Sequence, residues 1–292
     1  MSSNFGIGRE QLQARLGFST IAMPGDKRVG GEDIAMIREA GISRIEICGL
    51  HDAKHYDYKD RKQLAEIKSE CEKQGVSIVS VHAPCPDYGS SDEEERVEAV
   101  KETIIAGHAA AELGAGMFVV HFGVCERSEK SVNEVLDGLG DTELKITIEN
   151  LPQVPDLREH VKFIERIDCE RFGLTIDIGH PWDDDGANPF TKECRAREAL
   201  AQCGSHVVHL HLHDCVLNEK RGLVDHFPPF SGQILWDEVF LALNDVGYGG
   251  EYMFEAASDV TWPGADTGWV PLEETITRTA AFPAEFFSRY GE

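Results

Sequence analysis

The chain has 292 residues, of which 41% are hydrophobic, enough for one large core. Its 52 acidic residues outnumber 28 basic ones, for a net charge of −24, and no basic cluster stands out, so a nucleic-acid partner is not expected. No stretch approaches the ~18 uncharged apolar residues of a membrane span. Residues 1–13 lack the basic and apolar regions of a signal peptide, and the expectation is a cytoplasmic protein with no membrane contact. Eight scattered cysteines contain no CxxC pair, which argues against a zinc ribbon or a disulfide framework.

In chain order, short β-branched runs alternate with longer amphipathic stretches, the pattern of βα units around a parallel sheet. A short extension over residues 1–15 precedes them. Strands are expected at about 16–22, 44–48, 76–81, 116–121, 144–149, 172–177, 206–212 and 250–255, and eight is the number a closed (β/α)₈ barrel requires. Helices with apolar residues at i, i+3 and i+4 are expected at 31–40, 59–74, 92–113, 155–167, 193–202 and 234–246. Asp92 with the acidic turn Glu93-Glu94-Glu95 marks a helix start, and Gly75 and Gly114 mark helix stops. Residues 181–192 and 214–232 read as long loops able to shape a pocket. With no linker rich in Pro, Gly or Ser, the chain reads as one α/β TIM-barrel domain over 1–292.

Ionisable residues fall at the C-terminal ends of the expected strands: Glu46, His82, His121, Glu149 with Asn150, Asp177 with His180, His211 and Glu255. In this fold that end carries the chemistry. A single such residue is as often a helix N-cap, but seven strands share the pattern. Glu149, Asp177 and Glu255 each close an apolar run, and carboxylates converging on one mouth need a cation to compensate their charge. His209, His211 and His213 alternate with apolar residues at strand period and so share a face. His211 is the candidate ligand; His209 reads as a deeper structural residue, and His213 as facing the loop. Glu46 reads either as orienting a substrate hydroxyl or as pairing with a nearby base. Trp182 and Phe227 read as apolar walls, and Trp236 as packing a helix on the barrel.

The ordered motifs VHAP (81–84), VVHFG (119–123), TIEN (147–150), TIDIGHPW (175–182), HLHLHD (209–214) and YMFEA (252–256) resemble the xylose isomerase-like sugar isomerase/epimerase superfamily. The similarity spans roughly residues 16–285. Resemblance to its ketose 3-epimerase branch implies that Glu149, Asp177, His211 and Glu255 ligate a divalent cation, commonly manganese, with zinc, cobalt and magnesium also compatible with the donor set. It further implies that Glu149 and Glu255 act as acid and base. The substrate would be a sugar or keto-polyol, deprotonated α to its carbonyl through an enediolate. His180 would contact that substrate; His82 and His121 read from their strand ends either as further substrate contacts or as histidines that simply hydrogen-bond a neighbour, and Trp182 as a substrate-binding wall. The branch carries an arginine shortly after the seventh-strand histidine. Here the stretch reads Cys215-Val216-Leu217-Asn218-Glu219-Lys220-Arg221, so Arg221 takes that role only if the loop folds back. Members of the family are often homo-oligomers.

A keto-inositol dehydratase or a hydroxypyruvate isomerase would look alike at this level. A zinc-dependent apurinic endonuclease would use His82, His121, Glu149, Asp177, His180, His211, Asp225, His226 and Glu255. Against it stand the acidic charge, adjacent Asp225 and His226 where that pattern separates them by one residue, and the Asn150-Leu151-Pro152-Gln153 turn in place of a glycine-rich one. A non-catalytic metabolite-binding barrel is the third reading, disfavoured by the complete carboxylate and histidine set.

Overall fold

The computed structural model describes residues 5–50, 53–154, 156–180, 188–218, 222–261 and 268–291. Eight parallel strands close into a barrel: β1 (Leu16–Ser19), β2 (Arg44–Cys48), β3 (Ser77–His82), β4 (Met117–Val120), β5 (Lys145–Glu149), β6 (Phe172–Asp177), β7 (Val207–Leu212) and β10 (Tyr252–Phe254), which returns to β1. Each matches an expected strand to within a few residues. The fold is a (β/α)₈ barrel.

The helices follow the expected amphipathic stretches: α2 (Gly31–Glu39), α3 (Arg61–Gln74), α4 (Glu93–Leu113), α6 (Leu157–Ile167), α7 (Arg195–Cys203) and α8 (Trp236–Asp245). In α6, Leu157, His160, Phe163, Ile164 and Ile167 form the buried stripe, and the large apolar members contribute about 1.5–3 kcal/mol each. Asp156 caps its start by accepting the Arg158 N–H. Asp92 caps α4 in the same way, accepting from Glu94 and Glu95, while Gly75 and Gly114 end α3 and α4 in the left-handed conformation. Among the described residues, three further α-helices lie outside the stretches picked out by spacing: α1 (Arg9–Ala14), α5 (Glu126–Gly138) and α9 (Leu272–Tyr290). Phe5, ahead of α1, packs edge-on against Phe286 of α9, so the N-terminal segment is tied to the barrel's last helix.

One expectation is corrected. Residues 214–232, read as a loop, contain an antiparallel hairpin of β8 (Asp214–Asn218) and β9 (Gly222–Phe227). Its base is held by Asp214, which accepts the backbone N–H groups of Cys215 and Ile234 and the indole N–H of Trp236 at 2.9, 3.0 and 3.3 Å. Trp236 begins α8 and packs on Phe254 and Phe282, the helix-to-barrel role its sequence context suggests.

Strand pleating stacks the inward side chains in layers. Glu46 pairs in register with Ser80, and Thr175 with His209; a bond from the Thr175 hydroxyl to Thr147 belongs to the same buried polar layer. Two residues further along each strand come His82, Glu149, Asp177 and His211. Asp177 and His211 face each other in register. The polar layer below thus supports the ionisable layer at the mouth.

Candidate active site

Glu149, Asp177, His211 and Glu255 are each at most 1% exposed. One ligand atom from each lies within 4.8 Å of every other, a group able to hold a metal ion. His211 Nδ1 stands 3.1 Å from Glu149 Oε2 and 3.0 Å from Glu255 Oε2. Among the described residues neither His211 Nδ1 nor Glu255 Oε1 has a hydrogen-bond partner, although both are buried. Unsatisfied buried polar atoms are costly, and a ring of carboxylate oxygens around a bare imidazole nitrogen is the donor set of a divalent cation. The residues present fit such an ion.

The strand ends aim these groups. Asn150, directly after β5, accepts the Asp177 N–H through Oδ1 (2.8 Å) and donates through Nδ2 to the Asp177 carbonyl (3.0 Å), stitching β5 to β6. The Asp177 carboxylate accepts the N–H of Gly179 at 2.7 Å and of His180 at 3.2 Å. It also meets His213 Nε2 at 2.8 and 2.9 Å. Because His213 Nδ1 accepts the His226 N–H at 2.9 Å, Nε2 carries the ring proton and donates to Asp177. His213 thus meets the 214–232 segment through His226, as its sequence position suggests, and is also buried against Asp177, which that position does not reveal. Gly179 permits this, since a Cβ there would lie 1.9 Å from His213 Cε1.

Further imidazoles surround Glu149. His82 Nε2 and His121 Nε2 reach its Oε2 at 3.2 and 3.3 Å, and His180 Nδ1 reaches its Oε1 at 3.2 Å and the Asn150 carbonyl at 3.0 Å. On the other side, His226 Nδ1 donates to Asp225 Oδ1 at 2.9 Å, its ring stacks on His213 with centroids 4.2 Å apart, and its Nε2 stands 3.7 Å from Glu255 Oε2. Asp177, His180, His213 and His226 make a second group of metal-ligand type, and His82, Cys85 and His121 a third. Cys85 also lines a cavity of about 510 Å³ with Tyr58, Pro84, Glu102 and Thr103.

Burial alone would raise the carboxyls of Glu149, Asp177 and Glu255. The imidazoles around them outweigh it and hold all three below the usual carboxylate range. Burial likewise disfavours charge on the histidines, but the carboxylates prevail. They lift His180 to about 9 and raise His211 and His226 well above the ordinary value.

Of the two readings of Glu46, its surroundings favour pairing with a nearby base: it is fully buried in mid-strand. It accepts from Ser80 Oγ at 2.7 Å and meets His209 and His211 at 3.3 and 3.2 Å. His209 is the deep structural residue its position suggests. Trp182 and Arg221 lie outside the described residues. Phe227 ends β9, partly buried. The clamp of His213 on Asp177, and His211 as a base with which Glu46 pairs, escape sequence reading. Their only trace is the two-residue spacing within 209–213 and the placement of Glu46 mid-strand.

A family model described as xylose isomerase-like TIM barrel matches residues 34–280. An uncharacterised protein of Methanocaldococcus jannaschii is 26% identical over 263 residues, covering 79% of this chain and 84% of that protein. Among solved structures, a D-psicose 3-epimerase with D-tagatose from Clostridium cellulolyticum H10 superposes with a TM-score of 0.71 at 19% identity, covering 94% of this chain and 99% of that one. The IOLI protein with a bound zinc atom superposes with a TM-score of 0.71 at 18% identity, covering 94% and 99%. At these identities the superpositions establish the shared fold, and the match over most of the chain establishes the family. The chain belongs to the xylose isomerase-like TIM-barrel family.

Proposed function

We propose that the protein is a divalent-cation-dependent sugar isomerase or epimerase acting on a ketose or related keto-polyol. The observation that carries this reading is the convergence of His211 Nδ1, 3.1 and 3.0 Å from Glu149 and Glu255 oxygens, with the carboxylates of Glu149, Asp177 and Glu255 on one point. These four residues would hold the cation, with manganese the first candidate and zinc, cobalt or magnesium compatible. When bound, the cation would polarise a substrate carbonyl and its neighbouring hydroxyl.

The chain's own residues supply the proton chemistry. Glu255 Oε1, unpartnered among the described residues, takes the proton α to the carbonyl. Glu149 stands on the far side of β6 and β7 and serves as the opposing acid, its Oε1 linked to His180 Nδ1. Returning the proton to the opposite face gives an epimer; returning it to the neighbouring carbon gives an isomer. Both carboxylates are at most 1% exposed, which limits competition from water. His82 and His121, with His180, would contact substrate beside Cys85 and its cavity. The solved epimerase crystallised with D-tagatose shares the fold and supports a ketose as the first substrate to test.

The test is incubation of manganese-loaded protein with a panel of ketoses, keto-inositols and hydroxypyruvate in ²H₂O. Deuterium entering the carbon α to the carbonyl, and not doing so with Glu255→Gln, is the expected result. No exchange with any member would leave a binding barrel.

A second reading has its own support. His82 and His121 converge on one oxygen of Glu149, and His226, held by Asp225, approaches Glu255. Several cations held this way would suit a phosphodiester hydrolase of apurinic-endonuclease type. Cleavage of a duplex carrying abasic sites in the presence of zinc would favour it over the isomerase reading; an intact duplex discards it. The net charge of −24 weighs against a DNA substrate.

A further inference from the structure

Glu46 is a completely buried carboxylate two residues below the rim of the barrel. Among the described residues its ion-pair partners are His209 and His211 alone, with no lysine or arginine. One oxygen, Oε2, receives Ser80 Oγ at 2.7 Å, His209 Nε2 at 3.3 Å and His211 Nε2 at 3.2 Å; the other has no partner among those residues. A buried carboxylate compensated by two histidines and a hydroxyl, without a permanent cation, needs a reason beyond packing. The opposite edge of the His211 ring supplies one. A neutral imidazole carries a proton on one nitrogen and a lone pair on the other. Carboxylates face both edges of the ring; once a cation takes the place of the proton at Nδ1, which is directed at Glu149 Oε2 and Glu255 Oε2, the Glu46 carboxylate keeps the remaining proton at Nε2.

We propose that Glu46 is a positioning residue for the cation site: it fixes His211 as the Nε2–H tautomer, aims Nδ1 into the carboxylate ring, and adds a negative charge behind the ligand that strengthens cation binding. Ser80 and His209 in turn hold Glu46. The arrangement places a carboxylate behind a metal-binding histidine, which makes the imidazole a stronger and better oriented donor. This inference rests on the cation reading of the site.

The experiment strips the full-length protein with chelator and titrates it with Co²⁺ and Mn²⁺, comparing wild type, Glu46→Gln, Glu46→Asp and Ser80→Ala. Histidine tautomers are followed by ¹⁵N-detected two-bond NMR correlations. Glu46→Gln is expected to bind about 10–100-fold more weakly, with the His211 signals no longer those of one tautomer, and Glu46→Asp to recover part of the loss. Saturating cation should restore most of its turnover. Ser80→Ala, which removes one bond to Glu46, should weaken binding about three- to tenfold and decides the matter if Glu46→Gln does not fold. Unchanged affinity and tautomer in a folded Glu46→Gln, or unchanged affinity in Ser80→Ala where that variant alone folds, overturns the proposal. A wild-type protein that binds neither ion overturns the cation reading itself, a separate outcome.

Discussion

The Nε2–H of His213 donates to both carboxylate oxygens of Asp177, at 2.8 and 2.9 Å, from a ring that Gly179 alone leaves room for. Asp177 thus reaches the mouth already oriented. His213→Ala is expected to leave the barrel folded but lower cation affinity by about 10–100-fold, the usual effect of losing a group that orients a ligand. Calorimetric titration with Mn²⁺ checks this, and unchanged affinity would show that Asp177 needs no such support.

Gly179→Ala attacks the same contact from the other side. The added methyl must displace the His213 imidazole, because the two would lie 1.9 Å apart. Overpacking of this kind costs about 1–3 kcal/mol, and denaturant unfolding should show that loss together with weakened cation binding. A variant as stable as wild type, with its site intact, would mean the turn can relax.

Glu255→Gln and Glu149→Gln separate the two carboxylates. Glu255 Oε1 is unpartnered among the described residues, whereas both oxygens of Glu149 face imidazoles. Glu255→Gln should lower kcat by about 10²–10⁴-fold even at saturating cation. Both variants remove a proposed ligand and should lower cation affinity, Glu149→Gln the more, because His82, His121 and His211 also lose the charge they surround. Steady-state kinetics over a cation titration distinguish the two patterns.

Much of this arrangement is legible in the amino-acid sequence, for a simple reason. In a parallel barrel the strands are buried on both faces, so an ionisable residue closing an apolar run stands out, and Glu149, Asp177 and His211 do so at strand period. The hairpin at 214–227 is harder to see, because residues 219–221 read Glu-Lys-Arg, without the glycine or asparagine that marks a two-residue turn. Helix α9 carries Pro283 in its interior, which reads as a break. The bonds from Glu46 to His211 and from His213 to Asp177 join strands that are distant in sequence or need the turn at 177–180, so no local pattern announces them.

Away from the site, His160 sets a pH dependence of stability. Burial disfavours its charged form and pushes its pKa down to about 4 from 6.5, against a smaller opposing pull from Asp156. Between pH 6.5 and about 4 the unfolded chain binds a proton that the folded chain refuses. Stability therefore falls as pH falls through that window, by up to about 3 kcal/mol from this group. Chelator-treated wild type and His160→Gln, unfolded by urea across the window, should converge as the pH drops. Parallel curves would contradict the assignment.

The most direct test of the central claim is elemental analysis of bound metal in wild type, Glu149→Gln and His211→Ala, followed by turnover of a ketose panel with manganese restored. The account predicts at least one divalent cation per chain in wild type, sharply reduced in both variants, and isomer or epimer formed only by the loaded wild type. A wild-type protein that carries and takes up no cation would contradict it.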